Sequence, residues 1–147
     1  MTTANDVAAY ILSKQQNCDT MKLQKLLYYS QGWSLAWDGV PLFDDPIQAW
    51  ANGPVTYSVF DNHRGRFLVS AWPQGNPDAL NGDQRETVNA VLGFYGKFNG
   101  QQLSDMTHEE RPWTEARGDL PVGARSNNQI DLDVMQDFFS ALSSKSN

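Results

Sequence analysis

The stretch "DTMKLQKLLYYSQGWSLAWDG", residues 19 to 39, constrains the fold more than any other part of the chain. Leu23, Leu26, Leu27, Ser30, Trp33 and Trp37 recur at spacings of three and four, which lays a stripe along one face of a helix. Asp19 or Thr20 can cap its start and Gly39 marks its end, which predicts a helix of about 17 residues. Gly32 sits in its middle, where glycine costs about 1 kcal/mol relative to alanine. A neighbouring element approaching closely there is the expected reason.

The segments around this helix read as further, shorter helices. "NDVAAYILSKQQ" has Asn5 or Asp6 as a cap, then Val7, Ala8, Tyr10, Ile11 and Leu12, with a stop at Asn17. "GVPLFDDPIQAWANGPV" carries Pro41, Pro46 and Pro54 and predicts a small hairpin or extended pair near residues 40–52, turning at Asp44 to Pro46. Pro54 suits a first helical position, so a helix with Val55, Val59 and Phe60 buried is expected until Gly65. Residues 64–82 are irregular: "RFLVSAW" reads as strand or helix, and "NPDALNG" as a loop or single turn. From Asp83 a helix buries Val88, Val91, Leu92, Tyr95 and Phe98 and stops at Gly100. A short helix around Leu103 and Met106, a turn opened by Pro112 and a polar loop follow. A final helix, led in by Ile130 and capped at Asp131, buries Val134, Met135, Phe138, Phe139 and Leu142. Residues 143–147 read as a fraying tail. The expectation is a mainly α chain, residues 1–147 forming one compact domain of about six helices with the small hairpin.

A chain of 147 residues has the size of one domain, and such a domain buries roughly 70% of its unfolded surface. Five Trp, five Tyr and seven Phe supply core anchors that a disordered chain lacks. The net charge of −6 argues against direct DNA or RNA binding, which needs a basic footprint. It favours a soluble protein, or one that meets a basic partner. No apolar run approaches the ~18 residues of a membrane span, and the N-terminus lacks a signal peptide's charges and apolar run. Cys18 is the single cysteine, so no internal disulfide forms and a reducing cytoplasm is the expected setting. Its neighbours Asn17 and Asp19 do not activate it, which makes it a bystander.

"MTHEERPWTEAR", residues 106–117, looks most like chemistry. A zinc helix of the protease type needs two histidines four apart, but Pro112 stands four after His108. His63, His108 and Glu109 or Glu110 could still make a three-ligand metal site, which keeps a metal-dependent hydrolase as an alternative. No carboxylate pair is marked by an apolar setting, no nucleophile elbow occurs, and no Gly-rich run precedes a helix with Lys-Ser/Thr. The structural alternative has Thr107 capping a turn with Glu110 as the other half of a capping box. In it, Trp113 packs into the core with His108 hydrogen-bonded nearby. Lys22 and Lys25 beside Tyr28 and Tyr29 combine base and aromatic, but in an acidic chain they read as a solvated helix face.

Two long runs in order, "MKLQKLLYYSQGWSLAWDGVPLFDDPIQAWANGPVTYSVF" and "YGKFNGQQLSDMTHEERPWTEAR", resemble the Panacea antitoxin family, also met as GepA-like phage-associated and SocA-like proteins. The match runs residue by residue at Lys22, Leu23, Lys25, Leu26, Tyr28, Tyr29, Gly53, Pro54, Val55, Thr107, His108, Pro112 and Trp113. It extends over about residues 5–140, with no counterpart for 64–82. The resemblance implies a mainly helical antitoxin of a two-gene toxin–antitoxin pair, with no catalytic residues and no cofactor. Its motif positions are expected to serve the fold. The implied partner is a toxin encoded by an adjacent gene, such as a translation-inhibiting enzyme of the small alarmone synthetase type. SocA-like members imply the alternative of an adaptor that delivers the toxin to the ClpXP protease. For the toxin-binding surface the first candidates are Phe67, Leu68 and Trp72 in the irregular segment, with Phe43 and Trp50 near the expected hairpin.

Overall fold

Every residue from Leu23 to Gly32 is buried, so the central helix has no solvent face along that length. The computed structural model describes residues 2–145. Among them the order is α1 (Ala4–Lys14), β1 (Cys18–Asp19), α2 (Thr20–Asp38), β2 (Ile47–Trp50), β3 (Gly53–Thr56) and α3 (Tyr57–His63). Then follow β4 (Leu68–Val69), a 3-10 turn (Pro77–Ala79), α4 (Gly82–Tyr95), α5 (Gly100–Thr107), α6 (Arg111–Arg117) and α7 (Leu132–Lys145). The architecture is mainly helical with two small antiparallel sheets, β1–β4 and β2–β3.

α2 is the axis, packed by α7, α4, α5, α1 and β3. A helix buried all round belongs to the centre of a core, not to its rim. The solvated face expected at Lys22 and Lys25 is therefore corrected: Lys25 is 2% exposed, and half-buried Lys22 donates to the Gly96 carbonyl at 2.7 Å. Asp19 caps α2 by accepting from the Lys22 N–H, and Gly39 ends it at φ 71°. The close approach predicted at Gly32 is present. A Cβ there would run into the ring of Phe139 on α7. Around that contact Tyr28, Tyr29 and Trp33 meet Phe139 edge-on, at centroid distances of 5.7, 6.0 and 5.3 Å.

Buried polar side chains of α2 explain how the next segment is laid down. Ser34 Oγ donates to Val40 O, while the Gln31 amide accepts from Leu42 N and Phe43 N and donates to Phe43 O. The chain thus runs back along α2 with its main-chain groups paired to helix side chains. The hairpin starts later than expected, because these contacts hold residues 40–43 against α2 as an irregular lead-in. Its turn is at Ala51–Asn52, and Ile47, Gln48, Ala49 and Trp50 face Thr56, Val55, Pro54 and Gly53. Pro54 stands in β3 and not at a helix start; α3 begins at Tyr57.

Other boundaries moved by local capping. Thr3, with Asp6, forms the capping box of α1 in place of an Asn5 or Asp6 cap. Gly100 does not stop α4, which ends at Tyr95; Asn99 caps a new helix whose first residue is Gly100. Residues 64–82 carry β4, which pairs Val69 with Cys18, and the 3-10 turn, which packs on α1. α7 is capped by Asp131 and runs through residues 143–145, expected to fray; the last two residues lie outside the described ones. No helix among the described residues is long and apolar enough to cross a membrane.

Candidate functional site

The two sequence motifs converge on the main chain of the β2–β3 hairpin. Six hairpin carbonyls each accept from a side chain of another element. Arg117 donates to Ala49 O, Trp113 Nε1 to Trp50 O, His108 Nε2 to Ala51 O and Ser104 Oγ to Asn52 O. From α2, Lys25 Nζ donates to Pro54 O at 2.9 Å and Gln24 Nε2 to Thr56 O at 3.2 Å. The Gln24 Oε1 also accepts from Thr56 N at 2.7 Å. Gln24 and Lys25 therefore stand where a third strand would lie and satisfy the β3 edge. Gly53 is obligatory in this arrangement: its φ is 120°, and a Cβ would lie 2.5 Å from Lys25 Cε and 3.0 Å from Thr107 Oγ1.

Glu110 has a different task from the one its spacing suggested. Thr107 is the last residue of α5, and its hydroxyl donates back to Ser104 O; Glu110 makes no side-chain cap at the start of α6. The capping box is thus overturned. The Glu110 carboxylate instead accepts from Tyr28 OH at 2.9 Å and Tyr29 OH at 3.0 Å. Tyr29 stacks on Tyr95 at 3.9 Å, and Trp33 donates to Tyr95 OH. Burial pushes the Glu110 carboxyl up to about 7, outweighing the two tyrosine bonds that favour its ionised form. Burial also pulls the Lys25 ammonium down to about 7, with the Asp19 charge opposing the shift. Tyr28 and Tyr29 are held far above the ordinary phenol range by burial and then by the Glu110 charge.

The metal alternative loses its ligands. His63 Nε2 lies 3.0 Å from Gln24 Nε2, which can only donate, so that ring nitrogen is already the acceptor of a buried bond. Burial lowers the His63 pKa, in keeping with the neutral ring. His108 has carbonyls at both ring nitrogens, Ser104 O at 2.5 Å and Ala51 O at 2.9 Å, and its ring lies 4.2 Å from Trp113. Among the described residues no three His, Cys, Asp or Glu side chains gather as a metal-ligand set. Cys18 is buried, and burial pushes its thiol up to about 12.

The outer face of the hairpin is open. Alternation along β2 turns Ile47 and Ala49 inward and Gln48 and Trp50 outward. A groove of about 730 Å³ lies there, lined by Gln48, Trp50, Asn52, Val55, Tyr57 and Arg125 among others. Trp50 is braced by Phe60 at 4.8 Å, and Tyr57 lies 6.4 Å from Trp50. None of Lys25, Glu110, Tyr28 or Tyr29 lines it.

The candidate contact residues separate accordingly. Trp50 lines the groove, while Phe67 and Leu68 are 74% and 57% exposed on and beside β4. Phe43 and Trp72 are core residues, 1% and 6% exposed, and Trp72 Nε1 donates to Asn5. They cannot touch a partner without unpacking, which withdraws them as contacts. Sequence reasoning missed Gln24, Gln31, Ser104 and Arg117 as donors. It also missed Tyr57 and Arg125 at the groove. The only signal for the first group was polar residues interrupting apolar helices.

The two motifs that clasp the hairpin lie largely within a family match: the chain belongs to the SocA-like antitoxin family with a Panacea domain, whose model matches residues 23–114. Antitoxin SocA of Caulobacter vibrioides (strain NA1000 / CB15N) is 29% identical over 129 residues, covering 75% of this chain and 68% of that relative. No solved structure matches. The matched span contains Gln24, Lys25, the hairpin, Ser104, His108, Glu110 and Trp113, and ends before Arg117 and Arg125.

Proposed function

We propose that this chain is a non-enzymatic cytoplasmic antitoxin that neutralises a protein toxin encoded by an adjacent gene, by binding it directly. Family membership carries the reading. The arrangement of the hairpin supports it physically, because a ribbon fixed from behind by six side-chain donors presents its outer face already ordered. Preordering a contact surface reduces the entropy lost on association. The net charge of −6 suits a toxin with a basic cleft for RNA or nucleotide phosphates, such as a small alarmone synthetase-like enzyme. The polar clasp faces main chain, and the groove beside the hairpin is lined by no carboxylate and no histidine.

The test is co-expression with the neighbouring toxin, followed by mixing the purified proteins at equimolar ratio. Growth rescue together with loss of toxin activity in the mixture is the expected outcome. A toxin that stays active in the mixture, with rescue that disappears when ClpXP is deleted, replaces direct blocking by proteolytic delivery. No rescue in either background removes the antitoxin reading.

A further inference from the structure

We infer that the outer groove of the hairpin receives an extended segment of the partner protein. In that segment an apolar side chain lies on Trp50 and Tyr57, beside a carboxylate that pairs with Arg125. The inference rests on the toxin-binding reading and names the chemistry of the contact.

The binding mode follows from which main-chain groups remain free. β2 offers no open edge, since Ala49 N donates to Asn128 O and Ile130 N to Ile47 O. β3 offers none either, because Gln24 and Lys25 occupy its edge. Strand addition, the usual way a peptide meets a small sheet, is therefore blocked on both sides. An incoming chain can lie only across the face, where side chains do the binding.

That face has the makings of a peptide site. Its volume of about 730 Å³ falls in the range of pockets that enclose most of a bound group. Trp50 is held by Phe60 and by a bond from its Nε1 to Gln48 Oε1 at 2.7 Å, so it is a rigid aromatic shelf. Tyr57 is 43% exposed, and its hydroxyl accepts from Arg64. The Asn52 and Asn127 side chains make no hydrogen bond to the described residues, which leaves two amides for a peptide backbone. Arg125 is the one charged residue lining the groove. Among the described residues it makes no hydrogen bond or ion pair through its side chain, whereas Arg64, Arg111 and Arg117 are all engaged. An unengaged guanidinium in the same groove as an aromatic shelf selects a carboxylate by charge and by its forked geometry. A nucleotide phosphate offers similar charge, but the acidity of the whole chain opposes a polyanion. One acidic side chain within a basic toxin does not meet that opposition.

The experiment uses the purified protein and the toxin encoded beside it, with affinity measured by calorimetry. Arg125→Glu is expected to weaken binding by tenfold or more, Arg125→Lys by only a few-fold, and Trp50→Ala by tenfold or more. Phe94→Ala, at an exposed position of α4 that does not line the groove, serves as the control and keeps wild-type affinity. A photo-crosslinker at position 125 is expected to capture a toxin peptide containing Asp or Glu, and changing that residue to Arg restores binding to Arg125→Glu. Because Arg125 is exposed and unengaged, its variants report on contact and not on folding. Wild-type affinity in both Arg125→Glu and Trp50→Ala overturns the inference while leaving the antitoxin reading intact. So does loss of single-stranded oligonucleotide binding in those variants with toxin binding unchanged. A wild-type protein that binds no toxin overturns the antitoxin reading itself.

Discussion

The two faces of one hairpin are built on opposite principles. Its back and edges are paired to fixed donors: Gln24, Lys25, Ser104, His108, Trp113 and Arg117 each hold a carbonyl. Its front exposes Trp50, Tyr57, two free amides and an unengaged Arg125. An isolated two-stranded hairpin is marginal in water, so the back must supply the order that the front uses. The lesson is a division of labour, in which residues that look chemical make the ribbon rigid and plainer ones are left to meet a partner.

Substitutions that break the back should cost the most. Trp113→Ala is expected to lower stability by about 3–5 kcal/mol, since it removes a buried aromatic and the donor to Trp50 O; denaturant unfolding measures it. Next, Gly53→Ala forces a side chain onto φ 120° and into Lys25 and should cost about 2–3 kcal/mol. Wild-type stability for that variant would refute the tight back-side packing.

The buried charges give the comparison a pH signature. The Glu110 carboxyl is raised to about 7 in the fold, so its stabilising contribution is complete below the unfolded value near ~4.3 and is lost as pH rises toward 7. The Lys25 ammonium is lowered to about 7, so its linkage runs the other way, with stability recovered as pH rises from 7 toward ~10.4. Thermal melts should therefore show a declining acid limb that Glu110→Gln flattens. They should also show a rising alkaline limb that Lys25→Met flattens, while each variant leaves the other limb in place. The smallest effect belongs to the front: Arg125→Glu should change stability by no more than about 0.5 kcal/mol while it weakens toxin binding. A large loss of stability there would erase the distinction between the faces.

Part of this was readable in the chain. Spacing of three and four identified α2, α4 and α7, and Gly32 correctly announced the approach of Phe139, because a glycine inside a strong helix needs a reason. Hairpin register was not readable. Three prolines and a Gly fit several extended paths, and the lead-in at 40–43 is held by Gln31 and Ser34, residues far from it in sequence terms of turn chemistry. Thr107 and Glu110 satisfied the spacing of a capping box, yet Tyr28 and Tyr29 captured the carboxylate because a phenol pair lay within reach only after folding. Lys25 read as a solvent residue for the same reason.

By itself the sequence determined the helical class, the central helix and, through its two motifs, membership of an antitoxin family, since periodicity and motif order are properties of the chain alone. Tertiary structure alone decided that Gln24 and Lys25 close a sheet edge, that Glu110 turns inward, and that Trp50 and Arg125 share a groove while Phe43 and Trp72 do not reach the surface. Those outcomes depend on which distant main-chain groups come within about 3 Å of a side chain. A linear pattern of residues carries no measure of that distance.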